Sequence, residues 1–154
     1  MKLKTKKNSS CVIYDFDNVI YRDTDHKYDE LYEDNIVDGS SLPIPLNNSS
    51  VNVLLTGRGQ FLERKLLELL STAGYEFDEV IFFKDKRKEY PAFNSKLTLL
   101  KYYKQYWSFK ISAIKSISKK FKNVTVIDDD DVIIDYIDKK MSGVQAVHFD
   151  CREV

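Results

Sequence analysis

The feature that most constrains this chain is a rhythm. Short runs rich in β-branched and aromatic residues alternate with longer polar or amphipathic stretches. The short runs are CVIYDF from Cys11, VNVLL from Val51, FDEVIFF from Phe77, NVTVI from Asn123 and VQAVHF from Val144. VNVLL is short and apolar enough to be buried on both faces, as strands of a parallel sheet are. Between the runs lie helical patterns. In FLERKLLELLSTA, residues Leu62, Leu66, Leu69, Leu70 and Ala73 share one face, and Gly74 is a natural stop. FKISAIKSISKKF, from Phe109, carries the stripe Ile111, Ile114, Ile117 and Phe121; DVIIDYIDKKM follows from Asp131. KLTLLKYYKQYW, from Lys96, fits a helix only poorly. The stretch 21–50 is polar and reads as loop, with one helical turn at YDELYED. Strands alternating with helices predict an α/β fold: a three-layer, Rossmann-like parallel sheet of about five strands with helices on both faces.

A length of 154 residues fits one domain with one core, residues 1–154. Residues 1–10 read as a basic, flexible N-terminus. No signal-type apolar stretch follows MKLKTKK, and no run is long enough to span a bilayer. Cys11 and Cys151 match no metal-site spacing. These features predict a reduced, cytoplasmic protein with no disulfide and no membrane partner. They carry no information on oligomeric state.

The net charge is zero, which argues against a generic nucleic-acid binder. The charges are nevertheless segregated. Asp15 to Asp38 holds nine acidic residues and two basic ones, Lys84 to Lys122 twelve basic and two acidic, and Asp128 to Asp138 six aspartates and no cation. Any one such run is ordinarily a solvated face. Two acidic blocks flanking a basic one ask for a further reason.

Parallel sheets bind ligands beyond the carboxyl ends of their strands. At those ends the sequence puts Asp15 and Asp17 after the first strand, Thr56, Gly57 and Arg58 after the second, and Asp128 to Asp131 after the fourth. A lone Asp-x-Asp is weak, and Asp130 or Asp131 also suits the N-cap of the next helix. Gathered together, however, the carboxylates need a cation, and an all-oxygen donor set selects a hard one, magnesium. A cationic side chain for a substrate anion is also required. Lys110 falls within the apolar stripe of its helix, in what reads as its first turn, at the end facing the strand tips. Lys84, at the end of the third strand, is its rival.

The ordered set DFDNVI, VLLTGR, a later lysine and VIDDDD resembles the four motifs of the haloacid dehalogenase superfamily of phosphohydrolases, over Val12 to Phe149. LLTGR followed by Phe and a helix, GYEFDEVIFFK, and FK opening a helix resemble, more narrowly, the Swiss Army Knife RNA repair-like branch. The resemblance implies that Asp15 is the nucleophile and forms an aspartyl-phosphate. It implies that Asp17 is the general acid and then the base. Thr56 would bond the phosphoryl group, and Lys110 would neutralise it and hold Asp15. Asp15, Asp128, Asp129 and the backbone carbonyl of Asp17 would hold Mg2+, with Asp129 favoured over Asp128 as the main ligand. Asn18, Gly57 and Arg58 would border the substrate, unless Arg58 pairs with a strand-tip acid instead. Asn18 stands where the family often has glycine, and Val19 where it often has threonine.

The intervals Arg22 to Ser50 and Asp85 to Ser108 are too short for a large cap domain, so an open site is expected, suited to a phosphate at the end of a large substrate. The basic block interleaves its cations with Tyr90, Phe93, Tyr102, Tyr103, Tyr106, Trp107 and Phe109. Cations with stacking aromatics are what single-stranded nucleic acid needs, although the same aromatics could be core. The expected function is therefore a Mg-dependent phosphatase for terminal phosphates of RNA or DNA. The alternatives are a phosphatase for a phosphoprotein or small metabolite, and a non-catalytic binding module with the same fold.

Overall fold

Alternate residues of the first strand enter two different cores, and this two-sided burial organises the molecule. The computed structural model describes residues 9–23, 30–47, 49–84 and 96–154. Its strands are β1 (Ser10–Tyr14), β2 (Ser50–Gly59), β3 (Glu79–Phe83), β4 (Asn123–Asp128) and β5 (Val144–His148). They form one sheet in the order β3-β2-β1-β4-β5, with every neighbouring pair parallel. Helices α1 (Glu63–Thr72), α2 (Lys96–Ser118) and α3 (Asp131–Lys140) flank it.

Val12 and Tyr14 of β1 and Leu54 of β2 join Leu66 and Leu70 of α1 on one face. Cys11, Ile13, Val53 and Leu55 join Ile114 and Ile117 of α2 and Ile133 and Ile137 of α3 on the other. The segment between β1 and β2 is mostly irregular, with short 3-10 turns at Glu33–Asn35 and Gly39–Ser41. It still helps to close the first face, where Leu42 is buried and Leu31, Ile36, Ile44 and Leu46 pack beside it. Burial pushes the thiols of Cys11 and Cys151 up to about 12 and about 11, so both stay protonated.

Several expectations need correction. The pattern from Lys96 and the helix expected from Phe109 are one continuous helix, α2, of 23 residues. Lys110 therefore lies not in a first turn but roughly 21 Å along the helix, at 1.5 Å per residue. Strand β2 runs on through Thr56, Gly57 and Arg58 to Gly59, with an irregular register against β3 after Leu55. Ala73 is exposed at the C-cap of α1 rather than on its buried face. Gly74 does stop that helix, at φ 81°, where a side chain would be strained. The basic N-terminus and the stretch with Lys86, Arg87, Lys88, Tyr90 and Phe93 lie outside the described residues. Among the described residues, no helix is long and apolar enough to cross a membrane.

The order β3-β2-β1-β4-β5 reverses direction between β1 and β4, and ligands in such sheets bind outside the carboxyl ends at this point. The fully buried Leu66 fixes α1 on its face, whereas Leu67 is 40% exposed. Leu66→Ala is expected to cost about 2–5 kcal/mol, and Leu67→Ala less than about 1 kcal/mol. Chemical denaturation of the two variants checks this; equal losses would contradict the facing of α1.

Candidate active site and metal centre

The register of the sheet brings the first acid to the site. Tyr14 pairs with Ile127 in the β1–β4 ladder, and the Asp15 N–H then donates to the Ile127 carbonyl at 2.9 Å. Asp15 therefore stands beside Asp128, the last residue of β4. Lys110 reaches both from α2. Its Nζ donates to Asp15 Oδ1 at 2.6 Å and to Asp128 Oδ2 at 2.7 Å. The lysine is fully buried, and the two aspartates are nearly so. Lys84 is exposed just past β3, so Lys110 is the lysine that joins the acids.

Carboxylate oxygens of Asp15, Asp128 and Asp129 lie within 4.8 Å of one another. Three carboxylates against one ammonium leave a local charge of about −2, and every donor atom is oxygen. Such a donor set fits a hard divalent cation, with Mg2+ satisfying both its charge and its preference for oxygen. Asp129 is only half-buried and is the most accessible of the trio. The Asp17 side chain is not part of it.

The electrostatics follow from burial. Burial and Asp128 push the Asp15 carboxyl well above the usual range, against the lowering pull of Lys110. Burial raises Asp129 to about 6, against hydrogen bonds from Asp15 and Asn18. Burial alone would lower Lys110, but Asp128 and Asp15 outweigh it and hold the amine well above its ordinary value, hence charged.

Asp17 and Arg58 form a separate unit. Arg58 Nε donates to Asp17 Oδ2 at 2.9 Å and Nη2 to Oδ1 at 2.6 Å, a two-toothed pairing. The guanidinium lies 5.9 Å from the Phe16 ring centre and 5.6 Å from that of Tyr21. Of the two roles open to Arg58, pairing with a strand-tip acid is the one its contacts serve, although the residue also borders the cavity in front of the acids.

Asn18 adopts φ 62°, the left-handed region where glycine is easiest and asparagine next. That geometry accounts for asparagine at a position expected to favour glycine. Its Nδ2 donates to Asp129 Oδ2 at 3.3 Å, and its Oδ1 accepts from the Asp23 N–H at 3.2 Å. Thr56 is fully buried, and its Oγ1 accepts from the Arg58 N–H at 3.0 Å. Asp130 is the N-cap of α3: its Oδ1 accepts from the Val132 N–H, while Oδ2 accepts from Trp107 Nε1, both at 2.9 Å.

A cavity of about 240 Å³ opens onto these groups. Asp15, Asp17, Asn18, Gly57, Arg58 and Asp129 border it, as do Asp23, Asp130 and three tyrosines of α2. Thr56, Lys110 and Asp128 are buried and are not among the residues that border it. Gly57 is required by close approach: a Cβ there would come within 2.1 Å of the Tyr106 ring. Tyr106 in turn covers Lys110, whose Nζ lies 5.2 Å from its ring centre. Burial first, then Asp15 and Asp128, keep the Tyr106 phenol protonated, against the pull of Lys110. Neither Asp23 nor the role of Tyr106 was singled out from the sequence. A signal for the latter existed: Tyr102, Tyr106 and Lys110 are spaced by four and share one helix face.

No protein-family model matches the chain, and no curated protein matches it either.

The raised carboxyl groups give a sign for pH dependence. The folded state holds protons on Asp15 and Asp129 more tightly than the unfolded chain does. Their contribution to stability is thus greatest near pH 4 and falls as pH rises through about 6. Without divalent metal, the melting temperature of the wild type relative to Asp129→Asn should drop between pH 5 and pH 7.5. Millimolar Mg2+ at pH 7.5 should raise the wild type and leave the variant nearly unmoved. Equal Mg2+ shifts in both proteins would contradict a metal site at this trio.

Proposed function

We propose that this chain is a Mg2+-dependent phosphomonoesterase of the haloacid dehalogenase type, working through an aspartyl-phosphate on Asp15. The observation that carries the reading is the buried Lys110 bridge between Asp15 and Asp128, with Asp129 beside them and the cavity in front. Residues from three separate segments meet there, in the order expected of the first, third and fourth motifs. Asp15, Asp128 and Asp129 would hold the metal, which would supply charge neutralisation for the phosphoryl oxygens.

The chemistry assigned to the chain's own residues is a double displacement. A carboxylate oxygen of Asp15 attacks phosphorus, the bond from phosphorus to the leaving oxygen breaks, and Asp17 gives that oxygen a proton. Asp17 then takes a proton from water, whose oxygen attacks phosphorus. Inorganic phosphate leaves, and the Asp15 carboxylate is restored. Lys110 keeps Asp15 oriented, its positive charge offsetting the anion brought to a buried carboxylate. Arg58 fixes Asp17, and one Asp17 oxygen has to leave the arginine before it can meet the leaving group. That same pairing favours one alternative, a module that binds phosphate without turning it over.

For the substrate we retain the phosphorylated end of RNA or DNA. Supporting it, Lys101 and Lys104 are exposed on the part of α2 that precedes Lys110 and borders the cavity through its tyrosines.

Turnover of a generic aryl phosphate with Mg2+ separates enzyme from binder. Asp15→Asn is expected to lower kcat at least about a thousandfold, since it removes the nucleophile, and a chelator should abolish wild-type turnover. An unchanged rate in Asp15→Asn would refute the mechanism. Binding of a 5′-phosphorylated single strand should weaken with salt, and replacing Lys101 and Lys104 by Glu should reduce both affinity and salt slope. Salt-independent binding, or none at low salt, would remove the nucleic-acid substrate and leave the phosphatase standing.

A further inference from the structure

Tyr102, Tyr103 and Tyr106 all border the cavity that opens onto Asp15, Asp17 and Asp129. They stand on the part of α2 that precedes Lys110, and none of the three belongs to either hydrophobic core. Tyr103 is 37% exposed. Its ring is stacked on Trp107, with centres 5.6 Å apart and planes 23° from parallel, and it meets Tyr102 edge-on at 5.8 Å. Trp107 is anchored below by its bond to Asp130. A ring exposed at a cavity mouth and backed by an anchored indole is a rigid stacking surface with little side-chain entropy left to lose. Tyr106 is locked beneath it by the close approach of Gly57 and by Lys110.

We propose that these α2 tyrosines form a stacking subsite for a planar ring on the leaving group, with Tyr103 as the specificity-determining residue. The substrate class this selects is a nucleoside monophosphate or a nucleotide terminus, its phosphate toward Asp15 and its base against Tyr103. The cavity, about 240 Å³, suits a phosphoryl group with one ring system better than a long strand buried along its length. The assignment of the phosphate to Asp15 rests on the phosphatase reading; the stacking surface does not.

Adenosine 5′-monophosphate and ribose 5-phosphate test it, because both leave the same kind of alcohol and differ in the base. Wild-type kcat/KM should favour the nucleotide by on the order of tenfold, through KM, as one stacked base allows. Tyr103→Leu should bring the ratio to within about twofold of unity. Trp107 is the single tryptophan, so its fluorescence reports binding without turnover. If neither ester is hydrolysed, but the nucleotide alone quenches Trp107 and Tyr103→Leu weakens that quenching, the subsite stands and the phosphatase reading falls. If both esters are hydrolysed with equal efficiency, or a preference survives in Tyr103→Leu, the subsite is overturned and the phosphatase stands. Neither turnover nor differential quenching would overturn both.

Discussion

One buried ammonium organises the structure. Lys110 has no access to solvent and is held at hydrogen-bond distance by Asp15, just past β1, and Asp128, the last residue of β4. A charge removed from water in this way is tolerable only when paired and hydrogen-bonded. The pairing depends on the β1–β4 register, which sets the two acids side by side, and on the depth of α2 against the sheet. Asp129 adds a third acid, so the cluster is over-supplied with negative charge by about two units. Burial first, and then the neighbouring acids, raise the Asp15 and Asp129 carboxyls, and a divalent ion is what would relieve them.

Helix α2 links the core to the site. Its later half supplies Ile114 and Ile117 to the second core, while Tyr102, Tyr103 and Tyr106 of its earlier half border the cavity. Lys110 marks the change between the two. Gly57 on β2 lets the helix come close enough for Tyr106 to cover the lysine, so one residue without a side chain couples strand, helix and charge. The Asp17–Arg58 pair borders the same cavity, and its two-toothed pairing sets Asp17, the acid expected to exchange protons, apart from the trio suited to metal.

The sheet was legible because strand burial leaves apolar runs that nothing else in the chain imitates. The strand-tip acids were legible for a related reason: aspartate is a poor strand former, so acids set directly after apolar runs stand out against them. The course of α2 was harder to read. In residues 96–109 the aromatic side chains are divided between the cavity, bordered by Tyr102, Tyr103 and Tyr106, and the second core, met by Trp107 and Phe109, so the helical period is blurred. The same cause misplaced Lys110 in a first turn. The Arg58 pairing with Asp17 joins residues 41 positions apart, and only the fold could choose between its two roles. Asn18 stands where a glycine was expected, and its positive φ is one that glycine and asparagine both tolerate.

The most direct test of the account is to trap the covalent step. The wild-type protein would be mixed with Mg2+ and a phosphate monoester, quenched in acid within a turnover, digested and mapped by mass spectrometry. The account predicts a hydroxylamine-labile phosphoryl group on the peptide bearing Asp15, dependent on Mg2+ and missing from Asp15→Asn. Phosphate release with the label on another residue, or with none on Asp15 at any quench time, would contradict it.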